Sequence, residues 1–280
     1  MNQLFYVYAV AQPVGDAASF AAAGVGDAPV RFVEHRGLAA VVSHVRAEDF
    51  EEAPLRAHLE DLDWLADTAR AHESVVGAVS GITNLVPLRL ATVCRDESGV
   101  RRLLDDGHDR FTSSLARLDG RVEWGVKLYA EPDAAPGPDT APEPTAGPAR
   151  TATATSGRDY LRRRLRSRQA REKSWARADA SAQRLHAELA RCAEAQRLHR
   201  PQSGQLAQGP GVNVLNAAFL VRREESAAFV GLFEQLAPQE TGLRAELTGP
   251  WAPYSFADLH GPQQRESRQE REVSEERSET

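Results

Sequence analysis

The stretch VRFVEHRGLAAVVSHV, at residues 30–45, decides the fold of the first part of the chain. Two runs rich in β-branched and apolar residues, 30–34 and 38–45, flank His35-Arg36-Gly37, a sequence typical of a β-hairpin turn. Before this hairpin, the apolar run LFYVYAV at residues 4–10 predicts another short strand. The chain therefore begins as an antiparallel sheet.

Helices and further strands follow this hairpin. Apolar residues recur at spacings of three and four after Pro54 and predict an amphipathic helix that continues to residue 80; they are Leu55, Leu59, Leu62, Leu65 and Ala69. The pattern then predicts a strand at 85–93, a helix at 99–118 and a strand at 122–130. This order indicates an α+β fold, an N-terminal domain over residues 1–131 with an antiparallel-sheet sandwich and helices on one face.

Two segments have a composition that cannot build a core. Residues 132–157 are rich in Pro, Ala, Gly and Thr, which predicts a flexible linker. Residues 261–280 are almost all Arg, Glu, Gln and Ser, which predicts a disordered polar tail.

Between these segments, residues 158–260 predict a C-terminal α+β domain that begins with a long basic helix, 158–200, ended by Pro201. Part of this helix has the 3-4-3-4-3 spacing of a heptad seam, which predicts a coiled-coil-like packing surface; the seam residues are Trp175, Ala178, Ala182, Leu185, Leu189 and Cys192. A strand at 212–221, a helix at 224–236 and a strand at 243–247 complete the domain.

The composition excludes several classes of protein. With 280 residues, 41% of them hydrophobic and 26% charged, the chain is not wholly disordered, and its net charge of −6 argues against a general nucleic-acid coat. The cysteines, Cys94 and Cys192, stand far apart and predict neither a disulfide framework nor a zinc site. The N-terminus lacks the features of a signal peptide, and no run is apolar enough for a membrane span. We therefore expect a soluble cytoplasmic protein.

Motifs for catalysis are missing from the sequence. It contains no dinucleotide or phosphate-binding glycine loop, no HExxH and no GxSxG. The histidines are scattered; His58 and His72 stand about 20 Å apart on one predicted helix, too far to share a metal, and we expect solvated or capping roles for such histidines. The sequence thus predicts no catalytic residue, no metal and no cofactor.

The basic helix allows two interpretations. Residues 158–200 hold thirteen Arg or Lys and five Asp or Glu, a net charge of +8. Such a block could follow phosphates and make the chain a nucleic-acid-binding module. After Tyr160 its only aromatic residue is Trp175, so it has no ladder for base stacking. A solvated face, or one that docks on an acidic domain, is favoured.

Charged residues also occur within two predicted strands. Arg89 lies in the apolar sequence VPLRL, and Glu123 and Lys127 share one face of the strand 122–130, because side chains alternate along a strand. These residues could form an acid–base set, an ion pair that fixes strand order, or a patch that contacts a partner. With no nucleophile or cofactor loop nearby, structure or contact is favoured.

Several blocks of sequence, in order, resemble those of the gas vesicle GvpL/GvpF family. They are FYVYAV at 5–10, GLAAVVS at 37–43, HESVV at 72–76, VPLRLATV at 86–93, VEWGVK at 122–127, NAAFLV at 216–221 and LTGPWAPYSF at 247–256, together with Tyr160-Leu161 before the Arg-rich helix. The resemblance covers about residues 4–257. It departs from the family at Leu90-Ala91, where Phe-Gly is usual, and at Ala252, where Pro is common.

The resemblance implies a non-enzymatic accessory or minor structural protein of gas vesicle formation. Its implied partners are the hydrophobic shell protein GvpA and other vesicle proteins, and its implied location is the cytoplasm in association with gas vesicles. Nucleic-acid binding through the helix 158–200 and an unrecognised small-molecule enzyme remain as alternatives. The residues of the expected partner-binding or structural signature are Arg89, Glu123, Lys127, Trp251, Tyr254 and Phe256.

The last of these blocks has two interpretations of its own. Pro250 and Pro253 restrict its backbone, so its aromatic side chains could fix a final loop on the core. They could equally contact a shell subunit directly.

Overall fold

The computed structural model describes residues 3–15, 22–130, 157–201, 211–237 and 242–257. The chain divides into two compact units, and it passes between them within two strands. The first unit runs to Glu123 and resumes at Pro250, and the second runs from Trp124 to Gly249.

The first unit is built on an antiparallel sheet. Its elements are β1 (Gln3–Ala11), β2 (Arg31–His35), β3 (Leu38–Arg46), α1 (Ala47–Phe50), α2 (Glu52–His58), α3 (Leu62–Ser80), β4 (Leu85–Pro87), β5 (Val93–Cys94), α4 (Glu97–Asp106) and α5 (His108–Leu118). The strand order is β2-β3-β1-β4, and β5 also pairs with β1. The predicted hairpin is present, with β2 antiparallel to β3 and His35 opposite Leu38.

A bulge in β1 decides which side chains reach the core. Val7 pairs with Val42 and Ala9 pairs with Val41, which leaves Tyr8 as an extra residue. An extra residue reverses the alternation of faces beyond it. Tyr6, Ala9 and Ala11 therefore belong to one hydrophobic cluster, and the bulged Tyr8 points into it as well.

Helices cover both faces of this sheet, so the prediction of helices on one face is wrong. Val75, Val76 and Val79 of α3 pack in the cluster that contains Tyr6 and Tyr8. Helix α4 contacts β2 through alternate side chains of that strand. Arg31 Nη1 lies 3.5 Å from Glu97 Oε2. His35 Nε2 lies 2.9 Å from Asp105 Oδ1. The physical reason lies in β1, which is buried over Leu4–Ala11 and therefore needs cover on both sides.

Three predicted elements of the first unit are each divided in two. The helix predicted from Pro54 to residue 80 stops at His58 and restarts at Leu62, because the Asp61 side chain caps the backbone N–H groups of Asp63 and Trp64. The helix predicted at 99–118 breaks at Gly107, where a Cβ atom would lie 2.3 Å from the Phe111 ring.

The strand predicted at 85–93 is divided by a turn. Residues 88–92 leave the ladder after Pro87, and Ala91 adopts a left-handed backbone with φ of +59°. The Arg89 carbonyl oxygen accepts hydrogen bonds from the backbone N–H of Thr92 at 3.2 Å and from its hydroxyl at 2.8 Å.

The second unit is also α+β. Its elements are β6 (Arg121–Ala130), α6 (Gly157–Ala190), β7 (Ala195–Leu198), β8 (Val212–Arg222), α7 (Ser226–Leu236) and β9 (Leu243–Trp251), with β6 and β9 as the strands by which the chain enters and leaves. The strand order is β7-β8-β6-β9. Phe219 of β8 and Phe229 of α7 are buried with ring centroids 5.6 Å apart, and the last turns of α6 pack over the same core.

The long basic helix ends earlier than predicted. It stops at Ala190, and Ala195–Leu198 forms the strand β7 along β8. Pairing with β8 supplies hydrogen bonds that local helical spacing cannot reveal, and this tertiary contact overrides the helical pattern. Cys192 is therefore exposed outside the helix and does not belong to a seam.

The rest of the predicted seam has two different environments. Ala178, Ala182, Leu185 and Leu189 are buried, with exposures of 5% or less. Trp175, one turn earlier, is 43% exposed.

The division of the chain also differs from the predicted domain boundaries. The first unit ends within β6 at Glu123, where the sequence placed the boundary at 131, and residues 250–257 belong to the first unit. Nearly all of the predicted linker 132–157 and the whole of the predicted tail 261–280 lie outside the described residues.

Candidate partner-contact site

Residues 252–257, called here the closing segment, return to the first unit after β9. Ala252, Phe256 and Ala257 are buried, with exposures of 5%, 4% and 6%. Tyr254 packs against the hydrophobic cluster beneath the first sheet. A short 3₁₀ turn, Tyr254–Phe256, gives the segment its shape. The segment therefore completes the core of the first unit.

Two polar side chains hold the closing segment in place. The Glu123 carboxylate accepts hydrogen bonds from the backbone N–H of Ser255 at 2.8 Å and from its hydroxyl at 2.6 Å. Arg117 Nη2 donates to the carbonyl oxygen of Phe256 at 2.6 Å. Because Glu123 is only 9% exposed, these bonds compensate for the burial of a charged group.

Beneath the closing segment lies a cluster of polar aromatic side chains, Tyr6, Tyr8, His72 and Tyr254, called here the aromatic cluster. The His72 ring stands 5.7 Å from Tyr6, 5.4 Å from Tyr8 and 6.1 Å from Tyr254, measured between centroids. His72 is only 3% exposed, so the expectation of a solvated or capping histidine is wrong here.

The Tyr6 hydroxyl links three elements of the first unit. It accepts a hydrogen bond from the backbone N–H of Ala91 at 3.0 Å and lies 2.9 Å from His72 Nδ1. We assign Tyr6 as the donor to an unprotonated Nδ1, which places the ring proton of His72 on Nε2. That Nε2 atom is buried and makes no hydrogen bond of normal geometry to the described residues.

Burial keeps His72 neutral. It lowers the pKa of His72 to about 4, and an interaction with the backbone of Leu88 opposes part of this shift. Burial likewise raises the pKa of the Tyr6 hydroxyl far above its ordinary value. Both groups therefore stay uncharged at neutral pH.

The bulged Tyr8 is fixed by its own hydroxyl. It lies 2.7 Å from the Ser43 hydroxyl and accepts a hydrogen bond from the backbone N–H of Val25 at 2.8 Å. Gly24 lies against the same oxygen, and a Cβ atom there would stand 2.3 Å from it. The loop before β2 is thus shaped around Tyr8.

Tyr254 joins the closing segment to a carboxylate of α3. Its hydroxyl is buried and has no hydrogen bond of normal geometry among the described residues, yet the Glu73 carboxylate is close enough to influence it. Burial, and then the charge of Glu73, raise the pKa of Tyr254 well above its ordinary value. Burial also raises the pKa of Glu73, which the Tyr254 hydroxyl partly offsets.

These shifts indicate a structural role. Burial moves the pKa values of the tyrosines up and that of His72 down, away from the neutral range that general acid–base catalysis needs. Cys94, in a groove of about 670 Å³ that Leu4 and Phe50 also line, has a thiol whose pKa is raised by burial, the opposite of an activated nucleophile.

The structure brings together some of the signature residues predicted from the sequence. Glu123, Tyr254 and Phe256 meet at the closing segment. Trp251, just before it, is 43% exposed. Arg89 lies exposed on the turn between β4 and β5, and Lys127 is half-buried on the part of β6 that belongs to the second unit.

The roles of Tyr6, Tyr8 and His72 were not predicted from the sequence. A signal was available for the tyrosines: hydroxyl groups within an apolar strand need internal partners. The position of His72 beside Val75, Val76 and Val79 on one helical face was the corresponding signal for the histidine.

The described residues include neither a metal-binding cluster nor a membrane-spanning helix. In this part of the chain, no three His, Cys, Asp or Glu side chains come together in a way that could hold a metal ion. Its helices also include none with the length and apolar character needed to cross a membrane.

Comparison with known proteins gives consistent matches over nearly the whole chain. The profile of the family described as "Gas vesicle synthesis protein GvpL/GvpF" matches residues 4–258. Gas vesicle protein L of Streptomyces sp. (strain CB03234) is 58% identical over 258 residues, which cover 92% of this chain and 94% of that protein. Gas vesicle protein F of the same strain is 25% identical over 257 residues, covering 90% and 99%.

Solved structures share the fold. The crystal structure of the gas vesicle protein GvpF from Anabaena sp. PCC7120 superposes with a TM-score of 0.64 at 19% identity, covering 92% of this chain and 98% of that one. GvpF from Microcystis aeruginosa gives a TM-score of 0.61 at 20% identity, covering 91% and 99%.

Proposed function

The chain belongs to the GvpL/GvpF family of gas vesicle synthesis proteins, which implies a role in gas vesicle formation, and we propose that it is a non-enzymatic accessory or minor structural protein. In this proposal it binds the hydrophobic shell protein GvpA and other vesicle proteins during assembly. The observation that carries the proposal is the 58% identity to a gas vesicle protein L over nearly the full length of both chains.

The partner surface that we propose includes Trp251. A protein that holds a hydrophobic subunit needs apolar side chains in contact with water before it binds. Trp251 stands at such a position, 43% exposed just before the closing segment. Aromatic residues of this kind often supply the largest contributions at protein interfaces.

The other signature residues then have supporting roles. Tyr254 and Phe256 fix the closing segment to the core, and Glu123 ties its backbone to β6. These contacts determine where Trp251 stands in the first unit. The exposed Arg89 supplies a charge for a partner without entering the core of the first unit. Lys127, half-buried in the second unit, is a separate candidate for contact.

The organisation of the chain follows the same proposal. We assign the two compact units to two domains, the second with α6 as its long coiled-coil-like helix. The protein acts in the cytoplasm in association with gas vesicles and binds no specific nucleic acid. The neutral aromatic cluster supports a role without catalysis.

Co-expression with the shell protein tests the proposal at Trp251. We expect that Trp251→Ala lowers the amount of shell protein that co-purifies with the chain and leaves the melting temperature unchanged. Ile82→Ala is the matched control, because Ile82 is 53% exposed in the same unit outside the signature. Equal recovery of shell protein with both variants would remove Trp251 from the proposed surface.

A further inference from the structure

The first half of α6 is a helix without cover. In the stretch 162–177, called here the basic arm, every described side chain except Ser174 is exposed. Leu165 is 58% exposed and Trp175 is 43% exposed. At 1.5 Å per residue these two side chains are about 15 Å apart along the axis, and their directions differ by about 80°, so they share one side of the helix.

Little within the arm itself stabilises a helix. The described side chains include an i, i+4 ion pair, Arg168 Nε to Glu172 Oε1 at 2.9 Å, and such an exposed pair adds little to the stability of a helix. Short helices are marginal in water unless an apolar face packs against another element. Packing against a partner would therefore stabilise the helical conformation of the arm.

Charge indicates what this partner is. Residues 162–177 hold eight Arg or Lys and one Glu, a net charge of +7. This concentration of like charge excludes packing of one arm against an identical arm. A suitable partner surface is acidic and offers apolar side chains for Leu165 and Trp175.

The first unit carries a surface of this kind. Residues 47–67, called here the acidic surface, hold eight Asp or Glu and one Arg, a net charge of −7. Arg46 and Arg70, at its two ends, pair with Glu48, Asp49 and Asp67, which leaves an excess of five negative charges. Within it Leu59 is 44% exposed and Leu62 is 73% exposed, on either side of the break between α2 and α3. The two surfaces are thus matched in charge and in apolar content, and each is exposed within a single chain.

We propose that the basic arm of one molecule binds the acidic surface of a second copy of this chain. Leu165 and Trp175 pack against Leu59 and Leu62, and the two opposite sets of charges surround them. Each molecule has one surface of each kind, so the contact is heterologous and builds a ring or an open chain of copies. This inference rests on charge and exposure and does not depend on the proposed function.

Sedimentation velocity of the purified full-length chain, without shell protein, tests the proposal. We expect the sedimentation coefficient to rise with protein concentration at low salt. Because opposite charges bring the two surfaces together, the association should weaken strongly at about 0.5 M salt, where the Debye length falls to a few Å. A wild-type chain that stays monomeric at low salt overturns the proposal, including the case in which its arm binds nucleic acid instead.

Charge reversal identifies the two surfaces. One variant carries Glu51→Lys and Glu60→Lys on the acidic surface, and the other carries Arg164→Glu and Arg166→Glu on the arm; all four side chains are exposed. Each variant changes the charge of one surface by four, so each alone should associate much more weakly than the wild type, with a melting temperature equal to that of the wild type.

An equimolar mixture of the two variants should associate again into heterodimers, because the unaltered arm of the first variant meets the unaltered acidic surface of the second. Self-association of either variant at the wild-type level, or a mixture that stays monomeric, overturns the proposal.

Discussion

The aromatic cluster of the first unit and the basic arm of the second differ in which kind of side chain is buried and which is exposed. In the cluster, polar groups are covered: Tyr6 and His72 are buried and bonded to each other. In the arm, apolar groups are uncovered, with Leu165 and Trp175 in contact with water. Polar atoms in a core need partners from the same chain, whereas apolar side chains on a surface are available to other molecules.

This difference separates stability from binding. The cluster joins β1, α3, the turn at Ala91 and the closing segment, so its residues determine whether the first unit folds. The described side chains of the arm are exposed apart from Ser174, so they should influence what the folded protein binds.

The largest effect is expected within α6 itself, where the covered half meets the arm. Leu185 and Leu189 are 1% and 0% exposed, and truncation of a buried Leu costs about 2–5 kcal/mol. The double variant Leu185→Ala, Leu189→Ala should therefore melt at a much lower temperature than the wild type. The matched control, Leu165→Ala with Trp175→Ala, should have the melting temperature of the wild type. An equal fall in the melting temperature of both double variants would show that the arm is as important for stability as the buried half of α6.

A smaller effect is expected from the pH dependence of the aromatic cluster. The pKa of His72 in the folded chain is about 4, below its ordinary value of 6.5. Between these two pH values, His72 is protonated in the unfolded chain and neutral in the folded chain. His72 should therefore lower the free energy of unfolding as pH falls from about 6.5 to about 4, by up to about 1.4 kcal/mol per pH unit. Glu73 acts in the opposite direction, since its folded pKa is raised.

Denaturant unfolding of the wild type and of His72→Gln across this pH range isolates the contribution of His72. We expect the wild type to lose more stability than the variant as the pH falls. Parallel curves for the two proteins would show that His72 is protonated as easily in the folded state as in the unfolded state.

The smallest effect on stability is expected from replacing Ala91, in the turn whose backbone N–H donates to the Tyr6 hydroxyl, by glycine. Ala91 has a φ of +59°, which costs about 1–2 kcal/mol for a residue with a Cβ atom. Ala91→Gly should thus raise the free energy of unfolding by up to about 1 kcal/mol, after the greater backbone entropy of glycine in the unfolded chain is subtracted. Ala176→Gly in the exposed arm is the control and should only reduce helix content in circular dichroism. Loss of stability in Ala91→Gly would show that the turn is not strained.

The sequence predicted those parts of the fold that depend on local pattern. The apolar run at 4–10, the hairpin around Gly37 and the strand at 122–130 all appear as strands, with ends within about two residues of those expected.

Other features depend on contacts between distant residues and could not be obtained in this way. The bulge at Tyr8 follows from the hydroxyl partners that Ser43 and Val25 supply. The end of α6 at Ala190 follows from the pairing of β7 with β8. The position of the closing segment follows from Glu123, more than 130 residues before Ser255. For the candidate site, the sequence identified several residues but not the aromatic cluster that supports them.

The central claim, that this chain acts in gas vesicle formation by binding the shell protein, is tested most directly by co-expression of the two proteins. The measured quantity is the fraction of shell protein that stays in the supernatant and elutes with the chain. The account predicts that most of the shell protein stays in the supernatant with the chain and enters the pellet without it. Shell protein that enters the pellet in both cases, while the chain elutes alone, would contradict the account.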